Sequence, residues 1–224
     1  RFMRKITALV LAACLSIPGI GSAAFADESS NTVVLNTYFE EDFNSAETGG
    51  TTSSFEEYVL GSNKIYVAEN PDAADKSLCF DSVGASSRTS SRAVLNTGRA
   101  EGSIAVDFDV CLTGESNEFR IYVVSYTTGE KYLAKIIGTN LLTPSGSIIA
   151  PLTPGTFYPV TIIVHTETST ADYYVNNRKK VSGVQFYDKN LEAFDLLRFY
   201  QFNDSTNQTR TYIDNVKVYE SERP

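Results

Sequence analysis

The sequence predicts one all-β domain, a two-sheet sandwich or a barrel, and three observations carry that expectation. Apolar and polar residues alternate with period two through most of the chain. Polar turns rich in Asn, Gly, Ser and Thr separate the alternating runs at short intervals. No stretch shows the spacing of a convincing amphipathic helix. At 224 residues the chain is long enough to close a real core.

The first residues read as an export signal. Met3-Arg4-Lys5 is a basic start, residues 6–17 are apolar, Pro18-Gly19 breaks the run, and Ala24-Phe25-Ala26 offers the small residues of a cleavage site. The apolar run is too short to span a bilayer. Cleavage after Ala26 leaves Asp27 first and takes the net charge from -8 to -11, because it removes three cations and no acid. A rival reading is that Leu11-Ala12-Ala13-Cys14 is a lipoprotein signal, with Cys14 the anchored residue. Either way the domain is expected outside the cytoplasm. Residues 27–35 read as linker and 36–220 as the domain, with a Ser-, Thr- and Gly-rich loop at 44–54.

Within the domain the clearest strand is 104–111. Ile104, Val106, Phe108 and Val110 share one face, and Asp107 and Asp109 share the other. Residues 118–126 repeat the pattern with Phe119, Ile121 and Val123 inward, and 131–137 return across Thr128-Gly129. Residues 160–166 and 171–175 form a hairpin. Asn176-Asn177 then turns tightly into 178–181, because Asn tolerates the positive φ such turns demand. Strands at 196–202 and 212–219 finish the set.

These residues carry a resemblance. Glu41-Asp42-Phe43 opens the domain and Lys76-Ser77-Leu78-Cys79-Phe80 follows. Next come Val106-Asp107-Phe108-Asp109-Val110 and the hairpin Tyr174 through Val181. Leu197-Arg198-Phe199-Tyr200 and Tyr212-Ile213-Asp214-Asn215-Val216-Lys217-Val218 close it. In that order, over roughly residues 36–220, the chain resembles the concanavalin A-like, or laminin G-like, jelly-roll domains of secreted bacterial proteins. The resemblance implies an antiparallel two-sheet β-sandwich that binds carbohydrate, though some members of such families are glycosidases or lyases.

Chemistry is sparse. Asp107 and Asp109 would stand about 6–7 Å apart on one strand face, a spacing that suits two-carboxylate glycosidases. The third acid that enzymes of this fold carry on that strand is missing, so the pair reads as a solvated face. His165 is the single histidine, at a strand end with outward parity, and reads as surface. Asp214 shares parity with Tyr212, Val216 and Val218, which places it among buried valines. A carboxylate so placed needs hydrogen bonds, a partner or a metal. A structural Ca²⁺ held by Asp214 with Glu41 or Asp42 would meet that need. Cys79 and Cys111 have outward parity and pair only if their strands are neighbours.

The binding candidates are aromatic and basic: Arg120, Tyr122 and Tyr126 on one strand, and Arg198, Tyr200 and Phe202 on another. Tyr rings stack on sugar C–H faces, and Arg grips hydroxyls or a uronate carboxylate. The acidic balance argues against nucleic acid and anionic membranes as partners, and no transmembrane segment is expected. The expected function is non-catalytic recognition of an extracellular poly- or oligosaccharide. The alternatives are a small glycoside hydrolase or polysaccharide lyase, and a cell-surface adhesion module that binds protein.

Overall fold

The structure, a computed structural model, describes residues 34–83, 89–187, 190–203 and 207–221. The expected signal, Cys14 and the linker up to residue 33 lie outside those residues. The strands run in chain order: β1 (Val34–Glu41), β2 (Glu56–Leu60), β3 (Lys64–Ala68), β4 (Ser77–Ser82) and β5 (Thr89–Ala100). Next are β6 (Ser103–Leu112), β7 (Ser116–Ser125), β8 (Gly129–Gly138), β9 (Asn140–Leu142) and β10 (Ile148–Pro151). The last five are β11 (Tyr158–His165), β12 (Thr170–Val175), β13 (Arg178–Gln185), β14 (Phe194–Asn203) and β15 (Thr209–Ser221). Among the described residues there is no helix.

Two antiparallel sheets stack into a sandwich. One has eight strands, in the order β13-β12-β11-β6-β15-β4-β3, with β1 joining beside β15; the other has seven, in the order β10-β9-β8-β7-β14-β5-β2. First and last strands pair, as expected for a jelly roll. The hairpin turn at Asn176-Asn177 has φ of 52° and 59°, and Gly129 turns β7 into β8 with φ 78°.

The period-two pattern puts one face of each strand into a single core. Aromatic rings bridge the layers: Phe80 of β4 meets Phe119 of β7 edge-on at 5.1 Å, and Phe108 of β6 meets Phe199 of β14 at 5.5 Å. Buried polar contacts also cross between the sheets. The Tyr173 hydroxyl donates to the Leu133 carbonyl at 2.7 Å, and Thr211 Oγ1 donates to Gln201 Oε1 at 2.9 Å. Such bonds fix the relative setting of the layers, because a buried partner left alone costs about 1–3 kcal/mol.

The parity expected for β15 fails at one point. Asn215 takes φ 48° and the register with β6 shifts between Asp214 and Lys217, which is a β-bulge. Ile213 faces the core, as do Val216 and Val218 beyond the bulge. Tyr212 therefore faces outward with Cys79 and Cys111, and Asp214 faces outward opposite Asp109. Asp214 is buried, at 2% exposure, but on the outer side of its sheet and not among the valines.

Candidate functional site

Strand register lays the sequence candidates out as rungs on the outer face of the seven-stranded sheet. Tyr58 of β2 stands opposite Arg92 of β5, Arg92 opposite Tyr200 of β14, Tyr200 opposite Arg120 of β7, and Arg120 opposite Lys135 of β8. Aromatic and cation alternate along that rung from Tyr58 to Arg120. The next rung runs Glu56, Val94, Arg198, Tyr122, Tyr132, and the rung on the other side Leu60, Ser90, Phe202, Glu118. Arg120, Tyr122, Arg198, Tyr200 and Phe202 are thus brought together on one face. Tyr126 is apart: it follows the end of β7, is 73% exposed, and its backbone N–H donates to Asp195 Oδ2 at 2.9 Å.

Contacts divide the face in two. On the β7–β8 side Arg120 gathers its neighbours' polar ends. Arg120 makes a two-point contact with Glu118, at 2.7 and 2.8 Å, and donates to the Tyr122 hydroxyl at 3.0 Å. Its guanidinium also lies over the rings of Phe202 at 4.5 Å and Tyr132 at 5.5 Å. Tyr122 stacks on Tyr132 at 5.0 Å and is only 8% exposed. Arg198 pairs with Glu130. These groups form a pinned platform whose guanidinium groups are paired with carboxylates, although the Tyr132 hydroxyl is buried without a hydrogen-bond partner.

The β2–β5–β14 side is more open. Arg92 lies over the Tyr58 ring at 4.2 Å, and among the described residues it has no carboxylate partner. The Tyr200 hydroxyl reaches Ser90 Oγ at 3.4 Å, and its ring lies 3.9 Å from that of Phe202. A 170 Å³ depression is lined by Tyr58, Val59, Leu60, Ser90, Arg92 and Tyr200. The Nε atoms of Arg92 and Arg198 are both buried without a hydrogen-bond partner. Burial, and then the neighbouring Arg92 charge, lower the Arg198 pKa from its ordinary value.

Sequence reasoning missed Arg92, Tyr58, Ser90 and Tyr132. The signal for β5 was faint, since its inward residues begin with Thr89, Ser91 and Ala93, which are polar or small. Parity around Leu95 is what would have placed Ser90 and Arg92 outward.

The remaining candidates have identifiable partners. Asp107 accepts from the Tyr219 hydroxyl and Asp109 from Asn215 Nδ2, each at 2.9 Å. His165 Nδ1 stands 3.0 Å from Ser103 Oγ at the end of the outer strand face. Cys79 and Cys111 both pair with Tyr212, from opposite sides of β15, so a full strand separates them and both are free thiols. The condition for a disulfide, neighbouring strands, is not met.

For the expected metal set, Glu41 and Asp214 lie on opposite faces of their sheet, because Glu41 pairs with the inward Val216 and the bulge turns Asp214 outward. Glu41 is occupied as a loop clamp: it accepts from the Phe43 N–H at 2.9 Å, from Ser54 Oγ at 2.5 Å and from Thr52 Oγ1 at 3.4 Å. Asp42 accepts from the Asn44 N–H at 3.0 Å. Asp214 accepts from the Asn215 N–H at 2.7 Å. Burial pushes its pKa up to about 7; that hydrogen bond opposes the rise, while the charges of Asp75, Asp109 and Asp42 add to it. Among the described residues no three of His, Cys, Asp and Glu stand together as a ready metal cluster.

No protein-family model matches the chain, and no curated protein sequence does. Solved structures do. A sialidase aligns with TM-score 0.69 and 10% identity over 84% of this chain, which spans only 19% of the sialidase. An alginate lyase in complex with alginate trisaccharide aligns with TM-score 0.55 and 12% identity over 82% of this chain and 98% of its own. Domain 4 of an extracellular arabinanase from Geobacillus stearothermophilus, in complex with arabinotriose, aligns with TM-score 0.51 and 15% identity over 83% and 92%. All three are carbohydrate-binding or glycan-active proteins. At these identities what the likeness establishes is the fold: an antiparallel β-sandwich of jelly-roll type.

Proposed function

We propose that this protein recognises extracellular carbohydrate without cleaving it, through the outer face of the seven-stranded sheet. The observation that carries the reading is the rung Tyr58–Arg92–Tyr200–Arg120–Lys135, with the open depression at its β2 end. Exposed tyrosine rings beside guanidinium groups suit sugar rings, which present C–H faces for stacking and hydroxyls for donors. Aromatic stacking and Arg hydrogen bonds need no catalytic acid, and the face offers none disposed like one. Glu118 is held by Arg120, Glu130 by Arg198, and Glu56 accepts from the Tyr58 hydroxyl. The export signal expected from the first residues of the sequence would give the protein an extracellular setting; no described helix is long and apolar enough to cross a membrane.

The test is affinity electrophoresis of the protein in gels containing soluble plant, host and microbial polysaccharides, with product analysis of each mixture. Retardation without cleavage, lost in Tyr200→Ala, is the expected result. Release of oligosaccharide would favour the lyase or hydrolase reading, which the whole-domain likeness to an alginate lyase keeps in view. Retardation by no glycan would favour a protein-binding adhesion module.

A structural Ca²⁺ at Asp214 belongs to the same proposal. Asp214, with Asp42 and Asp75 in electrostatic range, would supply hard oxygen ligands, and carbonyl groups and water the rest. Glu41 is excluded from that set by its role in the loop. Calcium is expected to raise the melting temperature over chelator in the wild type and not in Asp214→Asn; equal melting with and without calcium would remove the ion from the account.

A further inference from the structure

Arg92 is the guanidinium of the outer face that, among the described residues, has no carboxylate partner. The other two guanidinium groups of the outer face are committed to carboxylates within the fold, Arg120 to Glu118 and Arg198 to Glu130, and Lys135 lies outside the depression, 6.0 Å from the Tyr132 ring. Arg92 instead rests on Tyr58, opposite Tyr200, with its Nε buried and unpartnered and its side chain lining the 170 Å³ depression. A guanidinium can be held this way over a ring, but its N–H donors in the depression still lack an acceptor. The repulsion between Arg92 and Arg198 adds to the demand for an anion. The chain as a whole carries a formal charge of -8, so an anionic partner would have to be attracted locally.

We propose that the Tyr58–Arg92–Tyr200 depression is a subsite for the carboxylate of an acidic sugar, so that the glycan recognised is a uronate-containing polysaccharide. The guanidinium fork matches a planar carboxylate in two-point contact. Tyr58 and Tyr200 flank it to carry the sugar ring, and Ser90 Oγ and the Tyr200 hydroxyl, 3.4 Å apart, stand beside it for ring hydroxyls. The inference rests on the glycan-binding reading above and narrows it to a ligand class. Arg120, with its full set of partners, supports the wall and is not a carboxylate receptor.

The experiment compares polygalacturonate with the same polymer after reduction of its carboxyl groups, alongside a sulfated galactan. Binding of the full chain to each is measured by calorimetry at low and high salt, for wild type, Arg92→Met and Arg92→Lys. Wild type is expected to bind the native polymer on the order of tenfold more tightly than the reduced one, with the preference falling as salt rises. Arg92→Met is expected to lose that preference and to bind the reduced polymer as wild type does. Arg92→Lys, which keeps the charge but not the fork, is expected to fall between them and guards against a folding defect. Equal binding of native and reduced polymer by wild type would overturn the acidic subsite and leave glycan recognition standing. Tight binding of the sulfated polymer alone would overturn the carboxylate assignment. Failure to bind any of the three would count against the subsite, and, joined to no retardation by any glycan in the gels, would overturn the glycan reading beneath it.

Discussion

Arg120 and Arg92 lie on the same rung, separated by one strand, yet their surroundings give them opposite duties. Arg120 is fixed by two bonds to Glu118, one to Tyr122 and two aromatic faces. Arg92 has a single ring beneath it. Denaturant unfolding is therefore expected to show Arg120→Met destabilised by about 1–3 kcal/mol and Arg92→Met shifted by no more than about 0.5 kcal/mol. Equal losses would mean that the two guanidinium groups do the same work. Asp214 gives a second residue-scale test. Its folded pKa, near 7, lies above the ordinary carboxylate value of 3.8, so the fold favours its protonated form. The associated stability is fully present below the unfolded pKa and is lost as pH rises through about 7. Glu57, pushed up to about 7 by burial, titrates in the same window, so the variant has to be compared with wild type at each pH. In chelator, Asp214→Asn is expected to gain melting temperature over wild type, more at pH 8 than at pH 5. A constant difference across that range would show that Asp214 is charged in the fold throughout.

At the scale of elements, strands with strong apolar alternation were readable and those without it were not. β6, β7, β11 and β12 carry large inward side chains, and Asn176-Asn177 has the residues its turn needs, so these were legible. β5 fills its inward positions with Ser91 and Ala93 before Leu95, and β2 is an edge strand that turns Glu57 toward the core side; neither reads as a strand. An inward carboxylate on an edge is a known guard against pairing with another chain. Because Arg92 and Tyr58 ride on those two strands, the open half of the candidate site was named only at Tyr200 and Phe202 on β14, while most of the pinned half was named. The bulge at Asn215 was equally hidden, since one residue with φ 48° inverts parity without any change in composition. The thiols follow from the same register. Cys79 and Cys111 are held 0% and 4% exposed on either side of Tyr212, and burial pushes the Cys79 pKa up to about 11. Both are expected to resist a thiol reagent at pH 8 in the native protein and to react on unfolding. A mass two daltons below the reduced value after folding in air would contradict the strand order.

For the whole molecule, the sandwich separates stability from recognition. Its rigidity comes from the interlocked rings of Phe80, Phe108, Phe119 and Phe199 and from the cross-sheet bonds of Tyr173 and Thr211, all facing away from the candidate site. The outer face of the seven-stranded sheet is then free to carry tyrosines and guanidinium groups that contribute little to folding on the β2–β5 side. The most direct measurement of this arrangement is a nuclear magnetic resonance titration of the isotope-labelled protein with an oligosaccharide taken from a glycan that retards it. The expected shifts concentrate on β2, β5 and β14, strongest at Tyr58, Ser90, Arg92 and Tyr200, and leave β4, β11 and β12 unmoved. Shifts centred on the outer face of the eight-stranded sheet, or around His165, would place recognition elsewhere and contradict it.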